Sequence, residues 1–187
     1  MIDVVYDACV LYSAALRDIL LHIAKVGLLH PHWSNEIQEE WIRNLLRNRP
    51  DLSRTSLERT RRQMETEFKN SLTNGYEHFI PTLQLPDPSD RHVLAVAIHV
   101  NAKYIVTFNL DDFPNEILQL YGIEAISPDE CVLRLLRQDS RPVFQAVKNH
   151  RLSLTRPSKM VEEYLATLEK QGLAKTVAFL RKHKDDI

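Results

Sequence analysis

The sequence predicts an α/β fold, a parallel sheet with helices on both faces, followed by a purely helical C-terminal segment. Two observations predict it. Short apolar runs (Ile2-Asp3-Val4-Val5-Tyr6, Tyr104-Ile105-Val106-Thr107-Phe108, and Ile123 to Ile126) alternate with longer stretches whose apolar residues recur at helical spacing. After about Ser140 no strand pattern returns and only helical periodicity continues.

The first run reads as a buried strand closed by Asp7. A helix follows from Leu11 to about Val26, with Leu16, Ile19, Leu20 and Ile23 at helical spacing, and Gly27 stops it. Ser34 is the N-cap of a second helix reaching about Arg49, ended by Pro50. On it Ile37, Trp41, Ile42 and Leu45 face the core, while Glu36 and Glu40 share a face one turn apart. A third, strongly charged helix spans Ser53 to Ser71, with Thr73-Asn74-Gly75 as its exit turn, and Tyr76 to Ile80 reads as a strand before Pro81. The loop Leu85-Pro86-Asp87-Pro88-Ser89-Asp90 enters a helix buried through Val93, Leu94, Ala97 and Ile98. Strand 104–108 precedes the polar turn Asn109-Leu110-Asp111-Asp112 and a short helix from Pro114. Ile123 to Ile126 is the last strand, and Ser127-Pro128 opens the next helix, with Ser as cap and Pro in the first turn. Helices over 140–153, 158–171 and roughly 173–184 complete the chain, which divides into a domain over 1–138 and a helical extension over 139–187.

Composition bounds the setting. With 187 residues, 44% of them hydrophobic, and four glycines, the chain suits one well-packed domain with a helical extension. No apolar stretch reaches the roughly 18 residues of a membrane span. Asp3 and Asp7 stand where a secretory signal carries basic residues, and two cysteines, Cys9 and Cys131, make no disulfide framework. The expectation is a cytoplasmic protein with reduced thiols. Eight histidines give no His-x-x-x-His pair with Glu between; His30 and His32 are two apart, His92 and His99 seven apart, and they read as structural. The net charge of −1 hides a pattern. Residues 1–40 hold six acids against two bases and 71–133 nine against two; residues 41–70 hold eight bases against four acids and 134–187 twelve against six. Acidic segments bordered by basic ones suit a polyanionic substrate, although solvated helix faces produce the same counts.

Asp7, Glu40, Asp90, Asn109 and Asp112 are where the chemistry concentrates. Asp7 and Asn109 follow apolar runs, and ligands of open α/β sheets bind at the carboxyl ends of strands. Carboxylates gathered there repel one another and lose hydration, which a hard divalent cation offsets most simply. Phosphodiester hydrolysis needs a water made nucleophilic at neutral pH and a counter-charge for the transition state; carboxylate-bound Mg²⁺ supplies both. Each residue also has a plainer reading. Asp7 caps the next helix, Glu40 has Glu36 and Glu39 as rivals, Asp90 is a helix-dipole charge like Asp87, and Asn109 fills a turn. Thr107 and Ser13 are hydroxyls placed to hold a site acid or a phosphate.

The spelling around these acids is more specific. Val5-Tyr6-Asp7-Ala8-Cys9-Val10-Leu11 resembles the opening strand of PIN-domain nucleases. Trp33-Ser34-Asn35-Glu36-Ile37 through Glu40-Trp41-Ile42-Arg43 resembles their second motif, a Glu on a helix that opens with Ser. Asp87 to Ala97 is similar to the third, an Asp before a Leu-Ala-x-Ala helix. Ala102 to Asn109 through Asp112-Phe113 resembles the fourth, a strand ending in Thr and then an acid-rich turn. The four occur in order and cover about residues 1–135. The resemblance implies a three-layer α/β/α sandwich with a parallel sheet of four or five strands, binding Mg²⁺ or Mn²⁺ and cleaving RNA. Toxins of the VapC kind are among its members, which implies a cognate antitoxin and a homodimer as partners. It assigns Asp7, Glu40 and Asp90 to the principal acidic positions. Asn109 replaces the usual fourth Asp, so Asp112, or else Asp111, supplies that charge, and Cys9 replaces a usual Asn. These two departures keep a second function open, a catalytically weakened PIN-like module that binds RNA or a partner.

Overall fold

In the computed structural model, which describes residues 1–155 and 157–187, four strands form one sheet. They are β1 (Ile2–Tyr6), β2 (Leu29–His32), β3 (Tyr104–Val106) and β4 (Glu124–Ile126), ordered β2-β1-β3-β4. β1 and β3 pair in parallel with Val4 opposite Tyr104, Val5 opposite Ile105 and Tyr6 opposite Val106; β3 and β4 pair in parallel with Val106 opposite Ile126. Val4, Val5, Tyr6, Ile105 and Val106 have no exposed surface. That is why the central strands read as nearly unbroken apolar runs: a parallel sheet is covered on both faces. The ladder continues one residue past each strand. Asp7 N–H donates to Val106 O (3.1 Å) and Thr107 N–H to Ile126 O (3.0 Å), so the chain leaves the sheet with Asp7 and Thr107 as neighbours.

The chain divides into two compact units. The unit formed by 2–12 and 30–126 contains this sheet, apart from Leu29, with α1 (Ala8–Tyr12). It also contains α3 (Asn35–Asn48), α4 (Arg54–Glu67), α5 (Arg91–His99) and α6 (Asn115–Leu118). Helix α5 lies on β1 and β3 and buries Val93, Leu94, Ala95, Val96 and Ala97; its two alanines allow a close approach to the strands. α1 packs on α3, and α3 on α4. Ser34 Oγ accepts from Ile37 N–H (3.2 Å) and Ser53 Oγ from Ser56 N–H (3.2 Å), the N-caps that fix where α3 and α4 begin.

The other unit, 13–29 and 127–187 with Met1, is helical: α2 (Ala14–Lys25), α7 (Pro128–Gln138), α8 (Ser140–Ser153), α9 (Val161–Lys170), α10 (Ala174–Leu180) and a closing 3₁₀ segment, Arg181–Asp186. α2 packs on α8 and α9, α7 on α8 and α10, and α9 on α10. Their buried faces include Leu16, Ile19, Leu20, Val143, Val147, Leu165, Leu168, Val177 and Leu180. Two polar links lie inside. The Asp129 carboxylate, in the first turn of α7, accepts from the N–H groups of Lys175 (2.9 Å) and Thr176 (2.8 Å), capping α10 from another helix. The His150 ring meets the Tyr164 hydroxyl at 2.8 Å between α8 and α9.

Three local expectations change, and one strand, β2, was not expected. The single helix from Leu11 to Val26 is two, α1 and α2, broken at Ser13, whose ψ of 121° is extended. The charged third helix stops at Glu67 instead of Ser71. Trp33 N–H donates to Ser71 O (3.0 Å) and Thr73 N–H to Trp33 O (2.8 Å), which holds residues 71–73 out of a helix. Tyr76 to Ile80 is not a strand, because Glu77–Thr82 forms a 3₁₀ helix containing Pro81. Proline sets φ near −65° and has no N–H for a ladder, so the segment coils where it was expected to extend. The remaining strand is β2, whose Pro31 is tolerated at a sheet edge.

Candidate active site

Asp7 is 3% exposed, and both carboxylate oxygens are engaged. Oδ1 accepts from Ala8 N–H (2.6 Å); Oδ2 accepts from the Thr107 hydroxyl (2.6 Å) and from the Cys9 thiol (3.1 Å). Thr107 in turn accepts from Asn109 N–H (3.0 Å), and Cys9 Sγ from Phe108 N–H (3.3 Å). The two strand ends are thus tied by side chains as well as by the ladder. Burial raises the Asp7 carboxyl above the ordinary range; hydrogen bonds from Thr107 and Cys9 oppose that rise, and the charge of Glu40 adds to it. Burial and then the Asp7 charge push the Cys9 thiol up to about 12, so it keeps its proton and serves as a donor.

The three glutamates of α3 separate clearly. Glu39 pairs with Arg54 Nη2 (2.5 Å). Glu36 is the most exposed, at 58% of its side chain, with His92 Nδ1 3.8 Å away. Glu40 is the one whose charge acts on both Asp7 and Asp90, and its Oε2 lies 3.5 Å from Nε2 of the buried His92. Asp87 caps the 3₁₀ turn Pro88–Asp90, accepting from Ser89 N–H (2.8 Å) and its hydroxyl (2.7 Å), and this turn delivers Asp90 to the start of α5. Partial burial pushes the Asp90 carboxyl up to about 7, and the charges of Asp7, Asp87, Asp112 and Glu40 contribute in that order. Asp90 is therefore where the negative charges concentrate. Asn109 is fixed by its N–H on Thr107 and leads into the 3₁₀ turn Leu110–Asp112, which carries Asp111 and Asp112. Ser13 lies in the helical unit, where its hydroxyl donates to Gln171.

Among the described residues no Lys or Arg pairs with Asp7, Glu40, Asp90 or Asp112. No three of these carboxylates bring an oxygen within 4.8 Å of one another, as like charges with no counter-charge prefer. The donors are all hard oxygens, the type that Mg²⁺, Mn²⁺ and Ca²⁺ select. A divalent cation would fit this set because it would offset both the burial and the like charges that lift Asp90. Sequence reasoning did not identify the Cys9–Asp7 hydrogen bond, having read Cys9 as a lost amide. Its position two residues after Asp7 was the available signal.

The family model described as PIN domain matches residues 3–111, and the one described as VapC50 C-terminal domain matches residues 128–182. A protein of Mycobacterium tuberculosis named "Putative ribonuclease VapC50" is 40% identical over 72 residues, 36% of this chain and 42% of that protein. The chain thus spans about two-fifths of the length of the curated relative it matches. No solved structure matches.

Proposed function

The chain belongs to the PIN-domain family, and on that premise we propose that it is a divalent-metal-dependent endoribonuclease, the toxin of a type II toxin–antitoxin pair. The observation that carries this reading is the negative charge that Asp7, Asp87, Asp112 and Glu40 bring to the part-buried Asp90, with no Lys or Arg paired to it among the described residues. Asp7, Glu40 and Asp90 would hold Mg²⁺ or Mn²⁺, with Asn109 through its carbonyl oxygen or Asp112 completing the set. When bound, such an ion supplies a water that is nucleophilic at neutral pH and positive charge for the phosphoryl oxygens. The chain's own contribution is positioning. Thr107, Cys9 and Ala8 N–H fix Asp7; the turn at Pro88 fixes Asp90; Glu40 reaches in from α3 beside His92.

For the substrate, α4 offers exposed Arg59 and Arg62, whereas Arg54 and Arg61 are engaged by Glu39 and Glu65. Exposed cationic side chains attract the phosphates of RNA electrostatically. The M. tuberculosis relative's name supports the ribonuclease reading and, with the second family match, a cognate antitoxin as partner. A homodimer is proposed on the family resemblance alone. The domain arrangement we favour is a nuclease domain over 1–138 with a helical extension over 139–187. The first family match lies inside the former; the second opens ahead of that boundary, at the start of α7. No described helix is long and apolar enough to cross a membrane. A second reading, a PIN-like module that binds RNA or a partner without cutting, is favoured by two features, the uncharged Asn109 where a fourth Asp is usual and Cys9 where an Asn is usual. Incubating labelled RNA with the protein and Mg²⁺, Mn²⁺ or EDTA separates the two: metal-dependent fragments support the nuclease, and binding without fragments supports the module.

A further inference from the structure

The edge of the sheet carries a second polar cluster that the acidic site does not use. On β2, His30 and His32 are two residues apart, the spacing that sends two strand side chains to the same side. On neighbouring β1, Asp3 stands within reach of both: its Oδ1 lies 2.9 Å from His30 Nδ1 and 2.8 Å from His32 Nε2. The imidazole rings are 4.3 Å apart between centroids. One ligand atom from each of the three residues lies within 4.8 Å of the others, and this is the one such set of His, Cys, Asp or Glu among the described residues.

We propose that Asp3, His30 and His32 form a binding site for a borderline-soft divalent transition ion of the Zn²⁺ class, separate from the acidic centre. Two imidazoles and a carboxylate are ligands of that class, whereas Mg²⁺ prefers oxygen and water. Zn²⁺ bonds of about 2.0–2.1 Å place neighbouring ligand atoms of a tetrahedron about 3.3 Å apart. The observed 2.8 and 2.9 Å need opening by only about half an ångström to admit the ion. Asp3 supplies the carboxylate ligand of the set. Both ring nitrogens donate to it now, and each proton moves to the other nitrogen of its ring when the ion arrives. His30 Nε2 is on a part-exposed ring, where water can accept the proton; His32 Nδ1 is buried with no hydrogen-bond partner, so the N–H formed there goes unpaired and subtracts from what the ion gains. His32 is 93% buried at its side chain and rigidly placed; Asp3 is 42% exposed and leaves the ion a way in.

Asp3 precedes Asp7 by four residues of extended chain, roughly 13 Å at strand rise, too far for one ion to serve both. The expected consequence is a clasp between β1 and β2, where Pro31 has no N–H to donate. The site is independent of the nuclease reading.

The test is titration of the metal-free full chain with Zn²⁺ by calorimetry, with Co²⁺ absorption in the visible as a report of nitrogen ligation. The proteins are wild type, the Asp7→Asn/Asp90→Asn double variant, His30→Ala and Asp3→Asn. His30 and Asp3 are part-exposed, so their variants keep the fold where His32→Ala risks it. One Zn²⁺ bound by wild type and by the double variant, and bound at least about tenfold more weakly by His30→Ala and Asp3→Asn, is the expected result. Removing a ligand costs no less than removing one of its outer partners, about 10–100-fold. Zn²⁺ should also raise the melting temperature of wild type but not of His30→Ala. No Zn²⁺ binding by wild type, equal affinity in His30→Ala, or loss of the ion in the double variant overturns the proposal.

Discussion

Asp7 and Asp90 carry opposite obligations in one place, because the charge that makes them useful to a cation costs stability without one. Asp7→Asn and Asp90→Asn each keep the side-chain shape and remove a charge. In a gel assay with labelled RNA and Mn²⁺, each should lower cleavage by about 10²–10⁴-fold, the several kcal/mol that metal-centred charge stabilisation contributes. In EDTA the Asp90→Asn variant should unfold at higher urea than wild type, since Asp7, Glu40 and Asp112 then repel less, whereas Asp7→Asn also sets an NH2 group against the donors of the buried Asp7 and gains nothing. Thr107→Val acts the other way. It removes the hydroxyl that donates to the buried Asp7 Oδ2 and should cost about 1–3 kcal/mol in denaturant titration while leaving the core shape intact. Asn109→Asp restores a charge that PIN-domain nucleases usually carry, so it should tighten Mn²⁺ in calorimetry and lower metal-free stability. Unchanged or weaker Mn²⁺ binding would place Asn109 outside the metal set and leave the fourth position to Asp112 or a water.

At the scale of elements, stability rests on buried polar links that the periodicity does not advertise. His150 sits 4% exposed against Tyr164. Burial, and after it the charges of His22 and Lys159, pushes its imidazole down to about 4. The unfolded chain takes up that proton near pH 6.5 and the folded chain only near pH 4. The native state therefore binds fewer protons in that window, and stability falls as pH drops from about 6.5 to about 4. Urea midpoints of wild type and His150→Gln, followed across those pH values, should diverge, with the flatter curve for the variant. Asp129 is the second such link: Asp129→Ala leaves two N–H groups of α10 without their acceptor and should cost about 2 kcal/mol in thermal or urea unfolding.

These links also show what the sequence could reveal. β1 and β3 were legible because burial on both faces leaves a strand mainly apolar, β4 through the apolar residues around its part-exposed Glu124, and α3 and α7 because Ser34 and Ser127 cap them. β2 was not legible: His30, Pro31 and His32 carry no apolar signal, and the strand exists through its place beside β1. Among the site residues, Asp7 and Asp90 could be read from strand end and helix start. Glu40 came from the resemblance, and the pairing of Glu39 with Arg54 and the action of the Glu40 charge on Asp7 and Asp90 support it over its rivals. Asp3 with His30 and His32 could not be read at all, since residues 27 and 29 positions apart meet only once two strands pair.

For the whole molecule, the alternation of acidic and basic segments becomes a statement about how RNA is met. A set of carboxylates repels a phosphate backbone, so binding must draw on cations elsewhere, of which Arg59 and Arg62 on α4 are exposed examples. RNA affinity should then fall with salt, and the Arg59→Gln/Arg62→Gln pair should flatten the log–log slope by about 1.4 if each side chain neutralises one phosphate of a single strand. A binding curve on an uncleaved RNA with the Asp90→Asn protein reads this without interference from turnover. The central claim, that Asp7, Glu40 and Asp90 form a metal-dependent phosphodiesterase centre, is tested most directly by RNA cleavage. Wild type and Asp90→Asn are compared in Mn²⁺, in EDTA, and in EDTA followed by excess Mn²⁺. Cleavage by wild type that is lost in EDTA, restored by Mn²⁺ and absent throughout in Asp90→Asn is the expected result. Cleavage that persists in EDTA, or that Asp90→Asn retains at the wild-type rate, contradicts it.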